Sequence, residues 1–174
     1  AVDWAVTEGI DIVSMSMSFF NESFYDGTGS IADAMDVLSA GGTLMVASAG
    51  NYARQHHRGH LTDDDRNTLH EFEDGSETLA VYLTEGTPRI SVIWDEYGAC
   101  GTTDIDAYLY NQDGDLVGRS TRTQRADAQG CFPAETITAS VQDDGWHELT
   151  LHHVRGPRGV EFNVLTRSGH LAQP

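Results

Sequence analysis

The sequence predicts an α/β segment, helices on a parallel sheet, followed by an all-β antiparallel sandwich or jelly roll. Three observations carry this expectation. Residues 1–51 alternate helical and strand patterns, and their strands are apolar enough to be buried on both faces. From about Leu69 onward the helical period disappears and short alternating runs take over. Turn dipeptides separate those runs, notably Asp113-Gly114, Asp144-Gly145 and Gly156-Pro157. The change falls in a polar stretch, so the expected domains are residues 1–67 and 68–174.

Val2, Ala5 and Val6 share one helical face, and Gly9 is placed to stop that helix. Residues 10–17 form a nearly continuous apolar run, expected as a buried strand. After the polar loop 21–29, Ser30 with Asp33 resembles a capping box, opening a helix that turns Ile31, Ala34, Met35 and Leu38 inward. Gly41 and Gly42 end it, and residues 43–48 are a second buried strand. Helix, strand, helix, strand in this form predicts a parallel sheet. Further on, strands are expected at 79–83, 90–94, 105–110, 137–141, 146–154 and 160–165.

Composition bounds the function. At 174 residues and 39% hydrophobic, the chain has material for a real core. No run approaches the ~18 apolar residues that a membrane helix requires, so no membrane insertion is expected. Neither a basic leader segment nor an initiator Met opens the chain, and both ends read as cut from something longer. Asp and Glu number 27 against 10 cations, all of them Arg, for a formal charge of -17. Such a surface repels phosphate backbones, which argues against nucleic acid or an anionic membrane as partner. It suits a high-salt or calcium-containing milieu, although the missing lysine is equally explained by codon bias.

Two segments carry a resemblance. Residues 1–16, AVDWAVTEGIDIVSMS, look like the subtilisin-family segment in which a helix leads into the substrate-lining strand. Residues 42–51, GTLMVASAGN, look like the strand ending in that family's Ala-Gly-Asn motif. The two stand in the family's order, and they cover only the first 51 residues. The resemblance implies part of a subtilisin-like parallel sheet with helices, from a secreted serine endopeptidase. Asn51 matches the asparagine whose amide donates to the oxyanion. Ser16, Met17 and Ser18 match the strand edge that pairs with substrate backbone, with Ser18 where the family usually has Gly.

Such an enzyme needs a Ser nucleophile, a His base and an orienting Asp. The family's Asp and His would precede residue 1, and its Gly-Thr-Ser motif is nowhere in the chain; Gly27-Thr28-Gly29 and Gly101-Thr102-Thr103 fail it. The chain alone is therefore expected to be inactive, the β-rich part being an insertion or an appended module. The intact enzyme would take a peptide or protein substrate and require no cofactor. A severed half-sheet would leave edges open to self-association.

The second part resembles, more loosely, β-sandwich modules of secreted proteases, through Trp94-Asp95, Asp104 to Tyr110, Gly114 to Ser120 and Gly145 to Leu151. Cys100 and Cys131 form a disulfide or remain two buried thiols; bridged, they close a loop of about 32 residues, contributing roughly 3 to 4 kcal/mol. Asp95, Asp104 and Asp106, with Glu96, are candidate calcium ligands, since carboxylates two apart share a strand face. Asp63, Asp64 and Asp65 are a second candidate, and solvated carboxylates are the preferred reading of both sets. His56, His57 and His60 invite a zinc reading, but no Cys stands near them. His147, His152 and His153 read as packing residues, and Asn21-Glu22-Ser23 fits a glycosylation triplet. The alternative to a protease piece is a non-catalytic module binding calcium, glycan or protein, with Trp94, Tyr97, Tyr108, Tyr110 and Trp146 as an aromatic platform.

Overall fold

The computed structural model describes residues 1–98, 101–124 and 132–172. The chain forms two compact units, Ala1–Asn51 and Tyr52–Pro174. In the first, helix α1 (Val2–Thr7) precedes strand β1 (Ile12–Met15), and helix α2 (Ser30–Ala40) precedes strand β2 (Leu44–Ala47). β1 and β2 pair in parallel, Ile12 with Leu44 through Met15 with Ala47. The first helical residue of α2 is Ser30, so it does not serve as the N-cap. Ser23 does that work from seven residues upstream: its Oγ accepts from the amides of Ile31 (3.0 Å) and Ala32 (3.1 Å).

The expected α/β parallel sheet with helices is corrected here. Both helices are short, and the parallel sheet has two strands. A parallel sheet persists where elements cover both faces, and two strands with two short helices are too few to supply that cover. Ile12 and Leu44 are accordingly 61% and 59% exposed, and Trp4, Met17, Val37 and Val46 are exposed with them. The rest of the chain is antiparallel β, so the fold is mostly antiparallel sheets.

Among the described residues the second unit holds nine strands: β3 (His56–His60), β4 (Leu79–Leu83), β5 (Arg89–Trp94), β6 (Asp104–Tyr110), β7 (Leu116–Ser120), β8 (Ala134–Thr138), β9 (Gly145–Arg155), β10 (Glu161–Thr166) and β11 (His170–Leu171). They make a four-stranded sheet ordered β3-β10-β5-β8 and a five-stranded sheet ordered β11-β4-β9-β6-β7. Every pairing in both is antiparallel. Alternation then decides what faces inward. Val92, Trp94, Ile137, Phe162 and Val164 from one sheet meet Leu79, Val81, Leu83, Ile105, Ala107, Leu109, Leu149 and Leu151 from the other in one buried cluster. This is the sandwich arrangement of two inner faces sharing a core. Among the described residues no helix is long and apolar enough to cross a membrane.

Where a strand meets a tight turn, backbone space is the limit. Gly169, between β10 and β11, has φ 96°, and a Cβ there would overlap the carbonyl oxygen of Tyr82. Gly169→Ala should therefore lower stability by at least about 2 kcal/mol. A urea titration checks this: the midpoint should fall with unchanged slope, and an unmoved midpoint would refute the clash.

Candidate functional site

Two places concentrate chemistry. The first is the end of the parallel pair. Residues 16–18 continue from β1 and residues 48–51 from β2, both from C-terminal strand ends, and the Ser48 amide donates to the Met15 carbonyl at 3.0 Å. Ser16, Met17 and Ser18 are exposed and outside any strand. Asn51 is exposed as well, directly after Gly50, whose φ of 82° turns the chain. In open sheets of parallel strands, ligands meet the protein at this carboxyl end.

The second place is a cavity of about 400 Å³ in the β-rich unit, between β3 and the segment 61–75. Among the described strands β3 is at the sheet edge and pairs with β10, which sets Gly59 opposite Phe162 and His57 opposite Val164. A Cβ at Gly59 would stand 3.2 Å from the Phe162 ring and 3.4 Å from His57 Nε2. The absent side chain thus leaves that wall to the two rings. The segment 61–75 is docked by backbone bonds: the Leu61 amide donates to Val160 (2.9 Å) and the His70 amide to Leu151 (2.9 Å). Thr62 Oγ1 donates to the Glu71 carbonyl at 2.7 Å, and a turn at Gly75 folds Phe72 inward. His70 and Phe72 are buried as a result, with ring centroids 4.4 Å apart; His70 lies 4.9 Å from Phe162, and His57 5.5 Å from Phe72.

Burial dominates the protonation of these imidazoles. It lowers His70 to about 4, outweighing its contact with Thr62, and moves His57 in the same direction against the opposing charge of Glu73. His70 Nδ1 lies 3.1 Å from the Thr62 amide nitrogen and 3.2 Å from the Thr62 carbonyl oxygen. Acidic groups also line the cavity: Asp64, Glu71 and Glu73.

Beside the cavity, Asp63, Asp65 and Glu71 each bring one carboxylate oxygen within 4.8 Å of the others. Sequence reasoning found Asp63 and Asp65 but not Glu71, His70, Phe72 or Phe162. Each of the three carboxylates is already engaged. Asp63 accepts from Arg158 at 2.6 Å, an ion pair that holds its carboxyl below the usual range. Asp65 accepts from the Asn67 amide at 3.0 Å, and Glu71 accepts from the amides of Asp64 and Asp65.

The other candidates are dispersed. Asp95 follows β5 in one sheet and accepts from the Glu161 amide, whereas Asp104 and Asp106 lie on β6 in the other. Asp106 accepts from the Tyr108 hydroxyl at 3.2 Å, and burial raises its proton affinity. Buried Glu96 accepts from the Thr103 amide and hydroxyl, both at 2.8 Å. His56 Nε2 sits 2.5 Å from Asn163 Oδ1 and His60 Nδ1 3.4 Å from the Gly159 carbonyl. Trp94 is fully buried and Tyr97 nearly so, which removes both from any aromatic platform. Cys100 and Cys131 lie outside the described residues.

The His70 environment makes stability pH-dependent. The unfolded chain binds the proton at about 6.5 and the folded chain only near 4, so stability should be full above pH 6.5 and fall between pH 6.5 and 4, by about 3 kcal/mol. His57, also lowered, adds to the same loss. Denaturant midpoints across this range, with the His70 C2 proton followed by NMR, check it; a resonance titrating near 6.5 would contradict the burial argument.

No family model matches the chain, and no curated protein matches it. Among solved structures it is similar in fold to the CspB protease of Clostridium perfringens, at TM-score 0.62 and 13% identity. That likeness takes in 99% of this chain and 39% of the protease, so the chain spans well under half of that protein's length. The resemblance to subtilisin-like proteases drawn from residues 1–18 and 42–51 is corrected accordingly: no model of that family matches, and 13% identity carries the fold alone. The chain is a distant structural neighbour of a protease.

Proposed function

We propose that this chain is part of a larger protease and that it contributes to peptide-bond hydrolysis without holding the whole catalytic apparatus. The observation that carries the reading is the placement of residues 16–18 and Asn51 after the C-terminal ends of neighbouring parallel strands. The fold likeness to a protease supports it. On this reading, residues 16–18 offer extended backbone that a substrate peptide joins by strand addition. The Asn51 amide donates a hydrogen bond to the oxygen on which charge develops as the scissile carbonyl becomes tetrahedral. The nucleophile and its base come from the remainder of the longer protein. The β-rich unit supplies a rigid body with its own core.

In the full-length protein, Asn51→Ala should lower kcat for a peptide substrate about a hundredfold or more while KM changes little, because the lost bond forms only in the transition state. Turnover within a few-fold of the parent would remove Asn51 from the reaction and the proposal with it.

A further inference from the structure

We propose that the cavity between β3 and the segment 61–75 is a binding site for the basic side chain of a polypeptide, an Arg guanidinium or Lys ammonium. The inference stands apart from the hydrolytic reading, since it concerns only the β-rich unit.

The size of the cavity, about 400 Å³, belongs near the lower end of ligand sites at roughly 300–1,000 Å³. That accommodates one side chain, not a folded partner. The aromatic part of its wall is Phe72 with the buried imidazoles of His57 and His70, backed by Phe162, and exposed His60 also lines it. Neutral aromatic rings attract a cation that has been partly desolvated, and burial keeps both imidazoles from carrying a repelling charge of their own. Exposed Asp64 and Glu73 give the lining negative charge. The cations Arg58 and Arg158 do not neutralise it, because they pair with Glu161 and Asp63. A charged head against the rings, flanked by the carboxylates, with an apolar stem leading out, matches an amphipathic basic side chain. A chain with a formal charge of -17 also draws basic partners over longer range.

A transition-metal ion fits less well. His57 and His70 are the ligand types such an ion takes, but among the described residues the donor cluster close enough to share one ion is Asp63, Asp65 and Glu71, with no imidazole in it. Those three carboxylates are held by Arg158 and by backbone and side-chain amides, as described above.

The test is a titration of the 174-residue chain with Nα-acetyl-arginine amide, followed through the C2 protons of His57 and His70 by NMR. Saturable shifts are expected with a dissociation constant at or below about 10 mM. Nα-acetyl-citrulline amide, of nearly the same shape but uncharged, should leave both resonances in place. Glu73→Gln and Asp64→Asn, both at exposed positions, should each weaken binding at least threefold with the unfolding midpoint unchanged. Equal shifts with the citrulline compound, or none with the arginine compound, would overturn the proposal. So would stoichiometric broadening of both resonances by Zn²⁺ with arginine silent, which would reassign the cavity to a metal.

Discussion

Phe162, near the start of β10, is wholly buried, with β3 paired on one side of its strand and β5 on the other. Its inward position follows from strand alternation, which sends Phe162 and Val164 into the core while Glu161 and Leu165 are less covered. The same ring faces His57, His70 and Phe72 and closes against the bare Cα of Gly59. Core and cavity therefore share a wall. A smaller residue there would open the sandwich and also leave the two imidazoles without the packing that keeps them neutral. Aromatic packing of this kind contributes through area and through edge-to-face geometry together.

The β-rich unit was readable where burial writes a period of two. Leu79, Val81 and Leu83, then Ile105, Ala107 and Leu109, alternate with less covered residues, whereas β5 is buried continuously from Ile90 to Trp94, and strands form in all three. β3 was not readable in that way. His56-His57-Arg58-Gly59-His60 has no apolar alternation, and it becomes a strand because β10 supplies its ladder. In residues 1–51 the failure runs in the opposite direction. The apolar runs at 10–17 and 43–48 announce strands, and strands appear there, but apolarity says nothing about whether other elements cover them. The family resemblance rested on the same short runs, and so did not survive comparison over the whole chain.

The acidic cluster shows the same division between local and distant information. Asp63 and Asp65 stand two apart and can be read as a pair. Glu71 joins them only because the segment doubles back, fixed by the bond from His70 to Leu151 on β9, some eighty residues away in sequence. Residues at left-handed φ, Arg66 at 65° and Thr68 at 78°, lie within that reversal. Nothing in the local pattern announces such a reversal, and so His70 and Phe72 read as ordinary loop residues until the fold closes around them.

The exposed apolar surface of the first unit has a consequence for motion. Its described core is small: Ala5, Phe24 and Leu38 are its buried hydrophobic residues, against a continuous cluster from both sheets in the second unit. A parallel ladder of two strands with so little beneath it opens at small free-energy cost, whereas the central strands of the sandwich open only when their unit unfolds. Amide hydrogens of β1 and β2 will consequently exchange with solvent orders of magnitude sooner than those of β5, β9 and β10. The strand ends assigned to substrate belong to the part of the chain that gives way most readily.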